Sequence, residues 1–561
     1  MSLRPANRRI RLLLAVFVLA FGIMFLRAFW LQGVRAGALA ARGTSQHREV
    51  VTIPAARGTI YDRNGTPLAL GEDAITVYAN PREVTNPRAE AVAAGRALGM
   101  QPETLYPLLS DRSRGFVYLE RKADPATGAA VERLHLPGVN AYHEERRTYP
   151  QGTVAAQVLG YAGIDNTGLA GLELGLDRYL SGSPGKETIV KDPFGRVIDL
   201  PQSTPERPGH DVVVTLDHTI QADAEAVLRK TVRAWHAKAA TAIVLDPRTG
   251  GILAMAGAPN FDANRYPEAP RALQRMRAVT DTYEPGSTYK LVTVAGALAD
   301  HLVNSSSTFT LPYEIKVSDR TIHDAEERGT ETMSVAQILS RSSNVGAITL
   351  AELLGRDRLA GWISRFGFGR LTGLDFPGES PGIVLPPDRW SGSTIGNVPI
   401  GQGIGVTAIQ MASAYAAIAN DGVWTRPHLV DRVVGVPRTQ PVRRRVVTAE
   451  TAAELNTMLR LVVTEGTGKL AAVPGYVVAG KTGTAAKPDP HGGYSDTRYV
   501  ASFVGFVPAT RPRLVILVSV DEPHGDIYGG VVAAPAFAEI AKFALQYLNV
   551  APDDRGALSS G

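Results

Sequence analysis

The most informative stretch of this sequence is Glu284-Pro285-Gly286-Ser287-Thr288-Tyr289-Lys290, which is followed by the apolar residues 291–298. Proline and glycine directly before an apolar run predict that Ser287 lies at or near a helix N-terminus, with Lys290 one turn later on the same face. The free amide groups and the dipole at that end favour developing negative charge, and a neighbouring amine can accept a serine proton. The stretch predicts a nucleophile and its base, although S-x-x-K also arises from a capping serine beside an exposed lysine.

Two further polar clusters favour the catalytic interpretation over that of a capping serine beside an exposed lysine. Ser342-Ser343-Asn344 begins 55 residues after Ser287, between two segments with a helical pattern, and Lys481-Thr482-Gly483-Thr484 begins 194 residues after it, in a segment predicted to be a strand. Each cluster alone could be a polar loop or an isolated strand lysine. Together, in the order S-x-x-K, S-x-N and K-T-G, they form a signature related to that of penicillin-recognising serine enzymes.

Two other motif matches fail on physical grounds. Residues 378–382 fit the G-x-S-x-G nucleophile elbow, but Pro381 lacks the backbone N–H that this elbow uses in its oxyanion hole. Residues 475–482 fit the P-loop pattern, but 476–479 have the composition of a strand, and Gly483, Pro488 and Pro490 stand where a helix should begin. The first match is predicted to be a turn, and the second to be accidental.

Length and composition predict a multidomain globular protein. A chain of 561 residues exceeds the size at which one hydrophobic core stops growing. With 44% hydrophobic and 20% charged residues, it is neither collagen-like, coiled-coil nor largely disordered. It contains no cysteine, which excludes disulfides, thiol nucleophiles, cysteine-ligated zinc and iron–sulfur clusters. The nucleophile must therefore be an oxygen or an amine.

The N-terminus predicts a membrane anchor. Residues 1–11 carry four arginines and no acidic residue, so they account for four of the five net positive charges and offer no support for a nucleic-acid partner. Residues 12–31 form an apolar stretch long enough to span a bilayer, and the preceding arginines predict a cytoplasmic N-terminus with the remaining chain outside. A cleaved signal peptide is the alternative, since 36–38 and 38–40 are small-x-small sites; the long apolar run favours the uncleaved anchor.

The exterior part is predicted to form two domains. Residues 45–215, here called the pedestal, contain short strands interrupted by helical patches. Residues 216–550 begin with a helix and a β-hairpin and end with three strands, 476–479, 500–507 and 514–520, and a closing helix. About 220 mainly helical residues lie between these two sets. A sheet built from both ends of a domain leaves a cleft where its two subdomains meet. Residues 551–561 are predicted to be a disordered tail.

The chain resembles the class B penicillin-binding proteins, which are monofunctional peptidoglycan D,D-transpeptidases of the bacterial inner membrane. Besides the three motifs, five segments carry this resemblance: 57–65 (RGTIYDRNG), 147–150 (RTYP), 168–173 (GLAGLE), 280–287 (TDTYEPGS) and 528–535 (YGGVVAAP). The last two are more similar to the division-specific septal subgroup than to the elongation-specific one. The resemblance implies an α+β fold, a five-stranded antiparallel sheet with helices and a large helical subdomain, preceded by a mixed, elongated, dimerisation-like pedestal and one transmembrane helix.

The mechanism that the resemblance implies uses five catalytic residues. Ser287 attacks the carbonyl between the two terminal D-alanines of a stem pentapeptide, and an amine from a neighbouring stem peptide resolves the acyl-enzyme as a cross-link. Lys290 acts as the base, because burial and the nearby cation Lys481 lower its pKa. Ser342 relays a proton to the leaving nitrogen, and Asn344 holds the substrate amide.

Substrate binding and partners are implied by the same resemblance. Lys481, Thr482 and Thr484 bind the terminal carboxylate, and Gly483 allows substrate backbone to approach the strand. The backbone N–H groups of Ser287 and Thr484 form the oxyanion hole. No metal or cofactor is implied. The expected partners are peptidoglycan stem peptides, β-lactam antibiotics, a glycan polymerase of the SEDS family and other divisome proteins, with the catalytic domain in the periplasm.

Several alternatives stay open at this point. A serine β-lactamase shares the fold, but a class A enzyme has S-D-N where this chain has Ser342-Ser343-Asn344, and it has no long pedestal. A carboxypeptidase differs only in using water as the acceptor. A β-lactam sensor or a non-catalytic divisome scaffold would have a dead site, against which the intact Ser287 and Lys290 argue. If the chain were a P-loop NTPase, it would bind a nucleotide in a way that depends on Lys481.

Overall fold

A computed structural model describes residues 4–37, 48–191, 197–438, 440–489 and 491–553 of the chain. Its first helix, Arg4–Phe29, continues into a π-helical turn, Trp30–Val34. The span Asn7–Val34 is 28 residues long and apolar enough to cross a membrane by length and composition. The described residues contain one such helix, and it includes the predicted span 12–31. The small-x-small site at 38–40 and most of the predicted tail lie outside the described residues.

Packing divides the chain into two compact units. One unit comprises Met1–Ala56 with Gly182–Gly209, and the other comprises Arg57–Ser181 with His210–Gly561. The first unit contains, besides the N-terminal helix, a three-stranded antiparallel sheet with Gly185–Lys191 in the centre, Arg48–Ile53 on one side and Val197–Thr204 on the other. The chain therefore passes from the first unit into the second at Arg57, returns to the first at Gly182 and enters the second again at His210.

The pedestal part of the second unit is a mixed sheet covered by helices. Its strands are Ile60–Tyr61, Pro67–Ala79, Val117–Ala123, Val139–Thr148 and Val212–Val214. The strand Val430–Val433, from much later in the chain, pairs with Val212–Val214 and extends the sheet by one strand. Its longer helices are Pro87–Leu98, Pro102–Ser110 and Pro125–Glu132. Asn86 caps the first of these helices by accepting the N–H of Ala89, and Gly99 ends it in a left-handed conformation.

Three of the pedestal segments identified in the sequence meet at one buried carboxylate, Glu173. Arg57 Nε donates to Glu173 Oε2 at 2.7 Å, and Arg147 Nε donates to Glu173 Oε1, also at 2.7 Å. The hydroxyl of Tyr149 reaches the same carboxylate, and Asp177 pairs with Arg57 at 2.7 Å. The side chains of both arginines and of Glu173 are at most 2% exposed. The segments 57–65, 147–150 and 168–173 are therefore parts of one ion-pair network.

The rest of the second unit, from residue 216 onward, contains the five-stranded antiparallel sheet that the resemblance implied. Its strands in chain order are β1 (Ala239–Leu245), β2 (Ile252–Ala258), β3 (Ala479–Pro488), β4 (Tyr494–Val507) and β5 (Leu514–Asp521). They are arranged in the order β2-β1-β5-β4-β3, which joins the two ends of the domain. Strands β1 and β2 are buried at every position because helices cover both faces of the sheet.

One strand differs from its prediction. The expected strand 476–479 begins only at Ala479 and continues through Lys481 to Pro488. Before this strand, Val473 and Tyr476 form an isolated β-bridge, and the two residues between them form a turn. The strand that the sequence predicted for Lys481 is present, and residues 479–486 pair with β4 in antiparallel orientation.

Six helices frame the sheet: α1 (His218–Ala234), α2 (Lys290–Ala299), α3 (Asn344–Leu354), α4 (Ala408–Ala419), α5 (Ala449–Thr464) and α6 (Ala534–Tyr547). Helices α1 and α6 pack on one face, with a core that includes Phe503 and Phe537. Helices α2 and α4 lie in the core of the other face. Between β2 and β3 lie further helices and strands: Arg277–Thr280, Thr308–Leu311, Glu314–Val317, Arg320–His323, Glu331–Ser334, Val335–Ser340, Arg356–Phe366, Thr394–Asn397, Val423–Thr425 and Arg443–Arg445.

Candidate active site

Ser287 lies in a short 3-10 turn, Gly286–Tyr289, that leads directly into α2. The position near a helix N-terminus is the one that the sequence predicted. Gly286 has a φ of +53°, and a Cβ at this position would lie 2.7 Å from the carbonyl oxygen of Thr484. Glycine is therefore required for the turn to approach β3 so closely. Nine of the ten residues of α2 are buried, so the surrounding core holds the turn in place.

The side chain of Lys290 is fixed by burial and by hydrogen bonds to the S-x-N motif. Its residue is fully buried, and Nζ donates to the carbonyl oxygen of Ser342 at 2.5 Å and to Oδ1 of Asn344 at 2.8 Å; Oγ of Ser342 lies 3.3 Å away. Burial lowers the pKa of Lys290 to about 7, against the negative charge of Asp324, which raises it. An amine with this pKa is neutral in a large fraction of molecules at neutral pH.

The S-x-N motif forms the loop that enters α3. Ser342 has a φ of +64°, a conformation that non-glycine residues rarely adopt. Ser343 caps the helix, because its hydroxyl accepts the N–H of Gly346 at 2.9 Å. Asn344 is the first helical residue, and its Nδ2 donates to the carbonyl oxygen of His323. This arrangement presents Ser342 and Asn344 to the amine of Lys290.

Asp324 supports this loop and was missed by sequence reasoning. Its Oδ1 accepts the backbone N–H groups of Asn344, at 2.5 Å, and Val345, at 3.0 Å, while the hydroxyl of Ser343 donates to both carboxylate oxygens. Arg328 pairs with it at 2.6 Å. A buried carboxylate at the start of α3 is favoured by the helix dipole. No local motif marks it, because it lies 18 residues before Ser342.

The K-T-G motif occupies the first half of β3, an edge strand of the sheet. Lys481 is fully buried, with its Nζ 3.2 Å from both oxygens of Thr482. The hydroxyl of Thr482 contacts that of Thr467 at 2.7 Å, and the hydroxyl of Thr484 accepts the N–H of Gly529. Because the strand continues past Lys481 without a helix, residues 475–482 do not form a P-loop.

Close packing brings the first and third motifs together. A Cβ at Gly483 would lie 2.8 Å from the carbonyl oxygen of Pro285 and 2.9 Å from Cγ2 of Thr288. The turn that carries Ser287 therefore lies directly against the strand that carries Lys481. With the Lys290 contacts to Ser342 and Asn344, these distances place all three motifs around one centre.

The pKa values of the two buried lysines, Lys290 and Lys481, are both lowered. Burial, and then the charge of Lys290, lower the pKa of Lys481 well below its ordinary value. Burial also lowers the pKa of Lys290, and the negative charge of Asp324 opposes that shift. Two buried amines compete for a proton, and Lys290 keeps it more easily because Asp324 provides a counter-charge.

One cluster of potential metal ligands lies apart from these motifs. The ligand atoms of Asp62, Asp217 and His218 lie within 4.8 Å of one another. They already contact protein groups: His218 Nδ1 lies 2.7 Å from Asp62 Oδ2, and Asn64 Nδ2 donates to Asp217 Oδ2 at 3.0 Å. The cluster joins the segment 57–65 to the first turn of α1, and its role in the structure is that connection.

Comparison with known proteins identifies both parts of the chain. Residues 240–542 match the penicillin-binding protein transpeptidase domain, and residues 52–214 match the penicillin-binding protein dimerisation domain. The chain is 33% identical to peptidoglycan D,D-transpeptidase FtsI of Escherichia coli K12, an alignment that covers 99% of this chain and 93% of that protein. It is 36% identical to penicillin-binding protein PbpB of Mycobacterium tuberculosis, with 96% and 84% covered.

A solved structure agrees with these similarities. The crystal structure of penicillin-binding protein 3 from Mycobacterium tuberculosis in complex with aztreonam matches with a TM-score of 0.71 and 32% identity, over 90% of this chain and 98% of that one. The matches extend through the pedestal and the transpeptidase domain, so they exclude a β-lactamase without a pedestal and a P-loop NTPase. The chain therefore belongs to the class B penicillin-binding proteins, the family of serine-type peptidoglycan D,D-transpeptidases.

Proposed function

We propose that this chain cross-links peptidoglycan stem peptides through an acyl-enzyme on Ser287. The observation that carries the proposal is the buried amine of Lys290, whose pKa of about 7 makes it an effective proton acceptor at neutral pH and which lies one helical turn after Ser287. Among the described residues, Ser287 Oγ donates no hydrogen bond. The catalytic hydrogen bonds of a free enzyme often tighten only when substrate binds.

In the acylation step, Ser287 Oγ attacks the carbonyl carbon between the two terminal D-alanines and gives its proton to Lys290. The C–N bond breaks, and the proton passes through the hydroxyl of Ser342 to the nitrogen of the leaving D-alanine. The Lys290 Nζ to Ser342 Oγ distance of 3.3 Å supports this relay. The backbone N–H groups of Ser287 and Thr484 would bind the oxyanion at the close approach that Gly286 permits.

In the second step, an amine of a neighbouring stem peptide attacks the ester carbonyl. The new amide forms, the ester bond breaks, and the proton of the amine returns to Ser287 through Lys290. Asn344 would hold the substrate amide, and Lys481 with Thr482 and Thr484 would bind the terminal carboxylate. A β-lactam, which presents a strained amide at the same place, would acylate Ser287 and remain as a slowly released adduct.

We propose a septal role and a membrane-anchored topology for the chain. The name of the Escherichia coli relative FtsI and the segments 280–287 and 528–535 support the division subgroup. The arginines at 4, 8, 9 and 11, directly before the apolar span, support a cytoplasmic N-terminus with the domains 45–215 and 216–550 in the periplasm. A SEDS-family glycan polymerase and other divisome proteins are the partners that we propose on this basis.

The central test is labelling with a fluorescent penicillin. The full-length protein in membranes should form a long-lived adduct, and Ser287→Ala should form none, while Ser306→Ala, which changes an exposed serine, should label like the wild type. A stem pentapeptide with an added acceptor amine should then yield a cross-linked product. Rapid release of the penicillin would instead indicate a β-lactamase, and hydrolysis without cross-linking would indicate a carboxypeptidase.

A further inference from the structure

A cavity lies in the transpeptidase domain, between the helix Arg356–Phe366, the loop that follows it, and α4. Its volume is about 360 Å³, within the range of roughly 300–1,000 Å³ that is typical of small-molecule sites. None of the catalytic or substrate-binding residues proposed above lines it. Phe366 and Trp424 provide aromatic walls, and three arginines provide its charge.

These three residues, Arg365, Arg370 and Arg444, are here called the arginine triad. No carboxylate lines the cavity beside them. The hydrogen bonds that the triad donates go to neutral groups: Arg370 Nη2 to Ser364 Oγ at 2.8 Å, and Arg444 Nη1 to the carbonyl oxygen of Arg365. Burial, followed by the charges of Arg370 and Arg365, lowers the pKa of Arg444. The triad is thus a cluster of like charges that a bound anion would neutralise.

A buried hydroxyl adds an independent observation. Ser413 lies in α4 and lines the cavity, and it is only 3% exposed. Its Oγ has no hydrogen-bond partner among the residues that the structure describes. A buried hydroxyl without a partner costs roughly 1–3 kcal/mol. The neighbouring Gln410 cannot supply that partner through its amide nitrogen, which donates to the carbonyl oxygens of Arg370 and Pro381.

We propose that this cavity binds an oxyanion, a phosphate or carboxylate group carried by a small molecule. The arginine triad would supply the charge-assisted hydrogen bonds, because guanidinium groups match both oxyanions with parallel N–H donors. The hydroxyl of Ser413 would supply a further donor. The ring of Trp424, on which Arg444 stacks at 4.6 Å, and the ring of Phe366 would contact the body of the ligand. This site is independent of the proposed cross-linking chemistry.

Isothermal titration calorimetry of the full-length protein in detergent, at constant ionic strength, tests the proposal with two probes, sodium phosphate and sodium citrate. We expect saturable binding of at least one, and the preferred probe distinguishes a phosphate ligand from a carboxylate ligand. The double variant Arg365→Gln/Arg444→Gln should bind at least about 10-fold more weakly, and Ser413→Ala several-fold more weakly. The control Arg389→Gln/Arg511→Gln removes the same charge from exposed positions and should bind like the wild type.

Labelling with fluorescent penicillin reports whether each variant is folded. If the double variant does not label, the single variants Arg370→Gln and Ser413→Ala decide the result. Equal affinity in the wild type and the folded triad variants would overturn the proposal, and so would an equal loss in the exposed-arginine control. The absence of saturable binding of both probes to the wild type would also overturn it.

Discussion

At the level of single residues, the chemistry that we propose for this site depends on the burial of one amine. An exposed lysine has a pKa near 10.4 and is almost fully protonated at neutral pH, so it cannot accept a serine proton. Lys290 is fully buried and its ammonium form is disfavoured, while Ser342 and Asn344 hold its nitrogen by hydrogen bonds. We therefore propose Lys290 as the base at neutral pH, a role that needs no histidine here.

The pH dependence of acylation follows from the pKa of Lys290, which is about 7. The folded-state pKa lies below that of a free lysine, so the neutral, basic form increases as the pH rises through about 7. The second-order rate constant for penicillin acylation should rise about 10-fold for each pH unit below 7 and level off above it. Stopped-flow measurements from pH 5.5 to 8.5 check this. Lys290→Arg should remain unreactive throughout, and a rate that is flat across this range would contradict the assignment.

At the level of elements, the entry into α3 places the two groups that we propose to be catalytic, Ser342 and Asn344, and Asp324 fixes that entry. Its carboxylate accepts backbone N–H groups from Asn344 and Val345 and the hydroxyl of Ser343. These bonds compensate for the unusual left-handed conformation of Ser342. Asp324 is thus a positioning residue, which acts on the reacting groups through the loop.

Asp324→Asn should reduce the maximal rate of penicillin acylation by about 10-fold or more, because the charged acceptor for the loop is lost. It should also shift the pH profile to lower pH, since the Asp324 charge raises the pKa of Lys290. A purely structural role would lower the rate without moving the profile. Asp319→Asn changes an exposed carboxylate five residues before Asp324 and should leave both quantities unchanged.

Gly483→Ala tests the close contact between β3 and the turn that carries Ser287. The new Cβ would lie 2.5 Å from Ser502 Oγ and 2.8 Å from the carbonyl oxygen of Pro285, so the strand and the turn must separate. We expect a loss of roughly 1–3 kcal/mol of unfolding free energy and a marked loss of acylation. Gly329→Ala, where no atom lies within 4 Å of the new Cβ, should have no comparable effect in denaturant unfolding and labelling assays.

Sequence reasoning predicted the elements whose signal is local. The turn before α2, the helix after Ser343 and the strand with Lys481 each had a recognisable pattern, and the structure has them. Contacts between distant residues could not be predicted, since nothing near Asp324 indicates that it meets α3. The same holds for the division into units, because the return of 182–209 to the first unit depends on strand pairing with Arg48–Ile53.

At the level of the whole molecule, buried and partly buried hydrogen bonds connect the pedestal part of the second unit to its transpeptidase part. Glu225 in α1 accepts the N–H of Ala155 and the side-chain amide of Asn260. Asn264 exchanges two hydrogen bonds with the backbone of Tyr149, whose hydroxyl reaches Glu173. Buried polar groups must stay paired, so these contacts favour one arrangement of the pedestal residues 57–181 on the domain that contains the site.

Glu173→Gln tests this network at its centre. The substitution keeps the shape of the side chain but leaves two buried guanidinium groups, those of Arg57 and Arg147, without their shared charge. Breaking a buried ion pair from one side costs about 3–5 kcal/mol, so the midpoint of thermal unfolding should fall clearly. Glu331→Gln breaks an exposed pair with Arg341, worth about 0–1 kcal/mol, and should hardly change the midpoint.

Limited proteolysis should detect new cleavage within residues 57–181 of the Glu173 variant, at a temperature where penicillin labelling shows that the active site is still folded. An unchanged midpoint together with unchanged proteolysis would mean that the network does not stabilise the pedestal.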